Sequence, residues 1–488
     1  MESQEKEPEK GVDIEASGET NATDVEYVSW DGPEDPTHPR NWSLTKKWSH
    51  ILVVALITFL TPFASSMVAP AVPQLMSEFH FESDILGSFI VSIYLLGYAF
   101  GPLVVAPMSE LYGRLPIYHI CNIGFIVTSI ACAVSTNVHM LIGFRFLAGS
   151  FGSSPIALGG GTISDMIIQE ERGLALSVSA FGSLWGPVLG PVAGSFLAQA
   201  AGWRWIFWVI TIASGAVSLI TAIVMRETYV PALLERRAKK LRKKTGNLSL
   251  TVKPPSSGPV SAGALFWRTV TRPSKMILFS PIILCLGIYT GIVFAYLYLM
   301  LVTFTDVYEQ KYGFGLGVTG LTYLGLGIGC SIGMIGFGFS SDQIMKSITA
   351  KGKPSKPEYR LITMIPGAIL LPIGLFWYGW TADKGVFWLV PIIGTGIAGC
   401  AIITIWISIQ VYLVDAFTTY AVSAVAANTI IRSVFGAFLP LAGKPLYNAL
   451  GLGWGNSLLA FIALAMMPTP YVFLKYGETM RERWSLTL

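Results

Sequence analysis

The chain has 488 residues, with hydrophobic types making up 52%, charged types 13%, and a formal net charge of +4. A soluble domain carries roughly 25% charged residues, so a soluble globular enzyme is excluded and an all-α membrane protein is expected. No GxxxxGK[ST] phosphate loop occurs, which argues against direct ATP drive, and no cofactor or metal is expected.

Residues 1–47 form an acidic, hydrophilic tail without the basic-then-apolar order of a cleavable signal, so the first apolar run is expected to act as its own insertion signal. Within the tail, WDGPEDPTHPRNWS (Trp30 to Ser43) spaces Pro33, Pro36 and Pro39 by three. That is the period of a polyproline II strand and predicts an extended, solvated cord. Such a cord is either a stiff tether or a clasp against the helices. Ser43 offers a helix N-cap, and Trp42 and Trp48 bracket Lys46 and Lys47 as an interfacial anchor.

Twelve apolar runs follow. Residues 48–77, 85–109, 115–144, 173–203, 276–305, 312–341, 385–414 and 445–474 contain no Asp, Glu, Lys or Arg. Shorter runs at 146–164, 205–225, 361–382 and 416–431 complete the set, the first and last of these extended past Arg145 and Arg432. A helix needs roughly 20 residues to cross hydrocarbon, and we number the runs spans 1 to 12. Five cysteines, Cys121, Cys132, Cys285, Cys330 and Cys400, fall inside them and read as packing residues rather than a disulfide framework.

The basic residues orient the chain. With a cytosolic N-terminus, only Arg204, Lys311 and Lys384 lie in outer loops and Arg145, Arg432 and Lys444 in spans, so 27 of 33 basic residues face the cytosol. The expected layout is a tail at 1–47, a six-helix bundle at 48–225, a basic linker at 226–275, a second bundle at 276–475 and a cytosolic tail at 476–488. In the linker, Arg236, Arg237, Lys239, Lys240, Arg242, Lys243 and Lys244 surround a face of Leu234, Ala238 and Leu241. Such a basic amphipathic helix is expected to lie on the anionic leaflet, and nucleic acid is a poor partner for a loop held there.

The halves echo each other. Span 2 ends in APMSELYGR, with Glu110 four residues before Arg114, and span 8 ends in GFGFSSDQIMK, with Asp342 four residues before Lys346. FGSLWGPVLGPVAG in span 5 runs toward Gly202 and Trp203, and FGAFLPLAGKP in span 11 toward Gly453 and Trp454. Duplicated six-helix halves of this kind are how many transporters are built.

These stretches also resemble a known family. APMSELYGRLP (Ala106 to Pro116) is similar to the cytosolic motif between helices 2 and 3 of major facilitator transporters, and RFLAGSFGSSP (Arg145 to Pro155) to their helix 4 motif. GSLWGPVLGP (Gly182 to Pro191) resembles the helix 5 motif of the antiporter branch. The opening cord, RETYVPALLERRAKKLRKKTGN and YLVDAFTTYAVSAVAANTIIRS resemble fungal twelve-span drug:proton antiporters. The resemblance covers nearly everything from Trp30 to Glu478, with Ala106 in place of a usual glycine and Leu115 in place of a usual basic residue. It implies a major facilitator fold of twelve helices in two pseudo-symmetric six-helix bundles.

Glu110 and Arg114 flank Gly113, which permits a tight turn. With Asp165 near the mouth of span 4 they form either a conformational latch or an ordinary solvated loop, and the resemblance favours the latch. Arg145 stands in a Gly-, Ala- and Ser-rich span, where such a residue faces a cavity or a partner. The family links an arginine here to proton movement, but arginine does not release a proton at accessible pH; Arg145 is expected to be an electrostatic modulator, or else a satisfied structural residue. Gly182, Gly186, Gly190 and Gly194 recur every four residues and allow a close helix approach, while Pro187 and Pro191 can bend span 5. The stripe is expected to meet a helix of the other half and to serve coupling.

Tyr289, Tyr296 and Thr303 share one face of span 7, near Phe294 and Tyr298. With Trp406, Gln410 and Tyr412 in span 10, they suggest an aromatic cavity with polar tips, suited to amphiphilic organic molecules, although packing aromatics are the alternative. Asn428 and Arg432 stand one turn apart in span 11 and either meet the substrate or steady each other. The expectation is a monomeric plasma-membrane exporter of drugs, toxins or secondary metabolites, driven by inward proton flow. A vacuolar membrane is the alternative location, and a proton-coupled importer or facilitator of a small nutrient or polyamine, or a non-transporting receptor, the alternative function.

Overall fold

The computed structural model describes residues 27–32, 34–168, 171–247, 250–252, 262–350, 356–417 and 420–483. Eleven helical stretches are long and apolar enough to cross a membrane. The last, Ala421–Arg483, has 63 residues, about three times what one crossing needs. It reverses at Gly451, whose φ of 74° and ψ of 172° are essentially open to glycine alone. Across that reversal the Tyr447 hydroxyl donates to Asn456 Oδ1 at 3.0 Å, so the described residues make twelve crossings.

Span 1 is Leu44–Ser66, prolonged past a proline-bearing break by Val72–Glu78; span 2 is Asp84–Tyr112 and span 3 Arg114–Ala133. Span 4 is Val138–Gly152 and Ser154–Met166, span 5 Arg172–Ala201 and span 6 Trp203–Val224. Span 7 is Pro281–Tyr312, span 8 Leu316–Leu321 and Tyr323–Ala350, span 9 Met364–Asp383, span 10 Leu389–Ala416 and span 11 Ala421–Phe438. Span 11 continues through Leu439–Ala442 to the turn at Gly451, and span 12 follows it. Lys444, which the apolar run at 445–474 sets at the start of span 12, therefore belongs to the end of span 11. A charge-free run marks hydrophobicity, whereas the reversal is fixed by the residue that accepts positive φ.

The two halves use the same neighbours. Span 1 lies on 5, 2 on 4 and 3 on 6; span 7 lies on 11, 8 on 10 and 9 on 12. The halves meet where span 2 packs on 11 and span 5 on 8. The glycine stripe of span 5 faces span 1 of its own half, not the other half as expected. A Cβ on Gly186 would lie 2.8 Å from the Phe59 carbonyl oxygen, and one on Gly182 2.8 Å from that of Ala55. The contact with the other half uses the adjacent face of span 5, where Ser195 and the Pro191 carbonyl abut Gly320 and Val188 abuts Gly327 of span 8. Helical spacing identifies a stripe of small residues but not which neighbour it receives.

Helix Val230–Thr245 of the linker marks one end of the bundle, here called the linker end. The segment before span 1 docks on it. Pro33 lies outside the described residues, but the rest of the cord is a series of turns ending in a 3-10 helix at Pro39–Asn41, not the expected polyproline II strand. Asp35 causes the curl: its carboxylate accepts from Thr37 N at 2.8 Å, Thr37 Oγ1 at 2.6 Å and Asp31 N at 3.1 Å. Arg237 of the linker helix donates to the same carboxylate at 2.8 Å and pairs with Asp31. The apolar face of the linker helix is covered by the chain itself, since Ala238 is buried with Val28 and Leu250 and Leu241 packs against them. That face therefore packs within the chain. Trp42, expected at the membrane interface, is instead buried among Ile51, Ile163, Met166 and Ala175 of spans 1, 4 and 5, with Lys46 over its ring.

The clasp has a defined pH dependence. Thr37, through both its side chain and its backbone, and then the Asp31 amide and Arg237 hold the Asp35 carboxyl below the ordinary aspartate range. A depressed folded-state pKa stabilises above the unfolded value and is lost as pH falls below it. The clasp therefore persists at neutral and mildly acidic pH. Arg237→Ala should raise hydrogen exchange at the Val28 and Thr37 amides several-fold while leaving the spans unchanged; equal protection in the variant would make the cord a mere tether.

Candidate functional site

A cavity of about 80 Å³ lies between the halves, walled by spans 1, 2, 4, 5, 7, 8, 10 and 11. On one side Tyr94 and Tyr98 are fixed by span 1: Tyr94 donates to the Thr61 carbonyl at 3.0 Å and Tyr98 to Thr61 Oγ1 at 2.5 Å. On the other side stand Phe294, Tyr298, Trp406 and Arg432. Ser65 and Tyr298 are 3.3 Å apart, a hydroxyl contact that joins spans 1 and 7 across the interface. Pro187, within span 5, also reaches the wall.

Of the expected cavity residues, Trp406 and Arg432 line it; Tyr289, Tyr296, Gln410 and Asn428 do not. The Tyr296 hydroxyl donates to the Leu459 carbonyl of span 12 at 3.0 Å, so that stripe of span 7 faces its own bundle. The cavity takes the neighbouring stripe of Phe294, Leu297, Tyr298 and Leu301. Both faces of span 7 are aromatic, and periodicity does not tell which meets the molecular axis. Gln410 and Asn428 lie one turn toward the linker end from Trp406 and Arg432. The Gln410 Oε1, both amide atoms of Asn428 and the Tyr412 hydroxyl are buried without a hydrogen-bond partner. Buried polar atoms of that kind are uncommon in a folded protein; those of Gln410 and Asn428 lie in spans 10 and 11, whereas the Tyr412 hydroxyl lies toward Gly477.

Two arginines are buried within the spans in opposite ways. Arg145 donates to the carbonyls of Ala64 at 3.0 Å, Ser65 at 2.7 Å, Ile90 at 3.1 Å and Val91 at 3.2 Å. Those of Ala64 and Ser65 are terminal carbonyls of a broken helix, which need a donor, so the geometry of Arg145 is that of a structural clamp on spans 1 and 2. Arg432, 8% exposed, forms no hydrogen bond or ion pair among the described residues. Its guanidinium rests 4.4 Å from the Phe294 ring centroid and 5.4 Å from that of Trp406. Insertion scales put an arginine at mid-membrane at about 2.5 to 3.5 kcal/mol unfavourable, and cation–π contacts offset part of that.

At the linker end Arg114 turns from Glu110 to Asp165, with Nε to Oδ2 at 3.1 Å, and to Ser109 Oγ at 3.2 Å. The sequence reading missed Glu227 and Thr228, just after span 6. Glu227 accepts from the Arg114 and Leu115 amides at 2.9 and 3.3 Å and pairs with Arg236 at 3.4 Å, and Thr228 donates to Asp165 at 3.3 Å. Gly113, at φ 96°, brings the chain under Glu227. Glu110, expected in the latch, forms no hydrogen bond or ion pair among the described residues. One signal was available: a lone acid following Arg226 at the mouth of a span.

The second half carries a matching group. Arg360 reaches Asp415 at 3.0 Å and Ser341 Oγ at 2.9 Å, as Arg114 reaches Asp165 and Ser109. The expected counterpart pair, Asp342 and Lys346, lies outside the described side chains. At the far end, Lys444 bridges Asp306 at 2.6 Å and Asp84 at 3.5 Å. Among the ion pairs of the described residues, Asp84–Lys444 is the one that crosses between halves. The described residues hold no group of three His, Cys, Asp or Glu fit for a metal ion.

A family model described as Major Facilitator Superfamily matches residues 54–440. The chain is 50% identical over 462 residues to the efflux pump radE of Floropilus chiversii, covering 94% of this chain and 85% of that protein. It is also 50% identical over 476 residues to the MFS-type transporter penM of Penicillium rubens, covering 96% and 92%. Among solved structures, the partially occluded inward-open xylose transporter XylE of E. coli superimposes with a TM-score of 0.63 at 17% identity, covering 87% of this chain and 97% of that one. At that identity the likeness concerns the fold alone.

Two substitutions separate the roles of these groups. Gly186→Val overpacks the contact of spans 1 and 5 and should destabilise the first half by about 1–3 kcal/mol, seen as a lower melting temperature in detergent. An unchanged melting temperature with a proton leak would return the stripe to a coupling role. Arg114→Ala should abolish most counterflow without loss of membrane-inserted protein, whereas Glu110→Gln should leave it near wild type; equal effects of the two would reject the Asp165-centred latch.

Proposed function

The chain belongs to the Major Facilitator Superfamily, and from that membership we propose that it exports amphiphilic organic compounds in exchange for protons. It is a multi-pass membrane transporter rather than an enzyme. The observation that carries the finer reading is the cavity: it sits on the interface of two pseudo-symmetric halves, its walls are aromatic and aliphatic, and its polar groups are few. Such a lining offers contact area to rings and a small number of orienting contacts. The similarity to a protein named as an efflux pump supports the outward direction.

Alternating access is rocking of one half against the other about the site. Opening the far end requires Asp84 to part from Lys444; opening the linker end extends the cavity along the unpartnered groups of spans 10 and 11. The Arg114 and Arg360 groups hold each half rigid at the linker end, so that each moves as a body. The excess of basic residues supports a cytosolic linker end with both termini inside, and we assign the protein to the plasma membrane as a monomer. A polyamine importer is disfavoured, because the cavity lining contains an arginine and no acid.

Proteoliposomes with an internal pH dye, loaded with aromatic amphiphiles, provide the test. Substrate should move against its gradient only while protons move the other way. Full-rate transport with the pH gradient collapsed and the potential clamped at zero would replace exchange by facilitated diffusion.

A further inference from the structure

Arg432 sets a chemical demand on whatever fills the cavity. It is 8% exposed, its Nε has no hydrogen-bond partner, and the cavity lining includes no Asp or Glu. Four aspartates toward the molecule's two ends are engaged elsewhere, Asp165 and Asp415 with Arg114 and Arg360 and Asp84 and Asp306 with Lys444, and Glu110 at the linker end is not part of the cavity lining. Arg145, the other buried arginine, is saturated by four backbone carbonyls, so the lack of partners at Arg432 is not a general property of buried arginine in this bundle. Phe294 and Trp406 offer the guanidinium only their ring faces, which carry no acceptor atom to pair with its N–H fork.

One neighbouring polar atom is also a donor without an acceptor. The Trp406 indole Nε1 is buried and unpartnered, and the hydroxyls of Tyr298 and Ser433 border the same space, while that of Tyr98 is committed to Thr61 Oγ1. A guanidinium fork matches a carboxylate in two parallel hydrogen bonds, and a carboxylate has acceptor sites left for the indole and hydroxyl donors. A cationic ligand would meet Arg432 in a low-dielectric cavity and be repelled.

We propose that the transported compounds are organic acids, each an aromatic or otherwise apolar body carrying a carboxylate that pairs with Arg432 between Phe294 and Trp406. This deepens the export reading and rests on it. The acid supplies the missing counter-charge while its apolar part lies along Leu297, Leu301 and Ile402.

The test is binding to the full chain in phosphatidylcholine nanodiscs by titration calorimetry, with empty nanodiscs subtracted. The probes are 2-naphthoate and biphenyl-4-carboxylate, each compared with its methyl ester and its aminomethyl analogue. Wild type should bind at least one carboxylate more tightly than its ester by about tenfold, the worth of one charge-assisted hydrogen bond. Arg432→Gln should erase that preference and Arg432→Lys should keep part of it, with melting temperatures recorded for each.

Equal or tighter binding of the ester or ammonium by wild type, no carboxylate binding at all, or a preference surviving Arg432→Gln would overturn the proposal. If Arg432→Gln does not fold, the wild-type comparison of acid, ester and amine decides. The measurement uses no gradient. Loss of proton exchange with an intact Arg432-dependent preference therefore rejects the exchange reading alone, and proton-linked export without the preference rejects the acid site alone.

Discussion

Inside a bilayer every backbone carbonyl must find a donor within the protein, and the break in span 1 makes that requirement acute. The helix Leu44–Ser66 ends within the apolar region ahead of Pro70 and Pro73, leaving terminal carbonyls that no following N–H completes. Arg145 supplies the donors from span 4 and, with the same fork, holds the Ile90 and Val91 carbonyls of span 2. One side chain thus fixes three helices at the depth where the cavity begins. Ser65, whose carbonyl it holds, points its hydroxyl at Tyr298 across the interface, and Tyr94, which it stacks beside, forms part of the cavity wall. The cavity-side geometry of the first half follows from a backbone that has to be capped.

The glycines act on the same scale. Span 5 approaches span 1 closely enough that Gly182 and Gly186 have no room for a Cβ, and Gly329 in span 8 is pressed against Gly396 in span 10 in the same way. Lipid offers helices little hydrophobic reason to associate, so close van der Waals packing of this kind holds each half together. The interface between halves adds polar contacts to glycine packing of the same kind at Gly320 and Gly327: hydroxyl contacts, Gln199 accepting from the Gly317 amide at 2.8 Å, and the Asp84–Lys444 pair. A rigid half and a separable interface are the mechanical conditions for rocking.

Pseudo-symmetry is carried by geometry more than by spacing. In the first half Arg114 stands five residues after Ser109, and in the second Arg360 stands 19 after Ser341, yet both place a guanidinium between a serine and an aspartate at the end of the fourth helix of the half. In the second half the arginine comes from beyond a longer loop rather than from the turn itself. Glu227 shows the complementary case, a residue whose role exists only because Gly113 turns the chain beneath it.

The sequence by itself determined the membrane class, the number of crossings, the two-half plan and the polar ends of spans 2 and 4, because hydrophobic run length and charge position are local properties that the bilayer reads directly. It also singled out Arg145, Trp406 and Arg432, since a charged or large polar-tipped aromatic residue in an apolar run has few ways to be accommodated. Tertiary structure decided which face of span 7 meets the cavity, that the Gly182 stripe receives span 1, that Lys444 belongs to span 11, and that the proline-spaced cord curls onto Arg237. For Lys444 the reversal at Gly451 decides; in the other cases two arrangements satisfy the same helical or threefold period, and the choice rests on a partner distant in the chain: Leu459 for Tyr296, Phe59 for Gly186, Arg237 for Asp35.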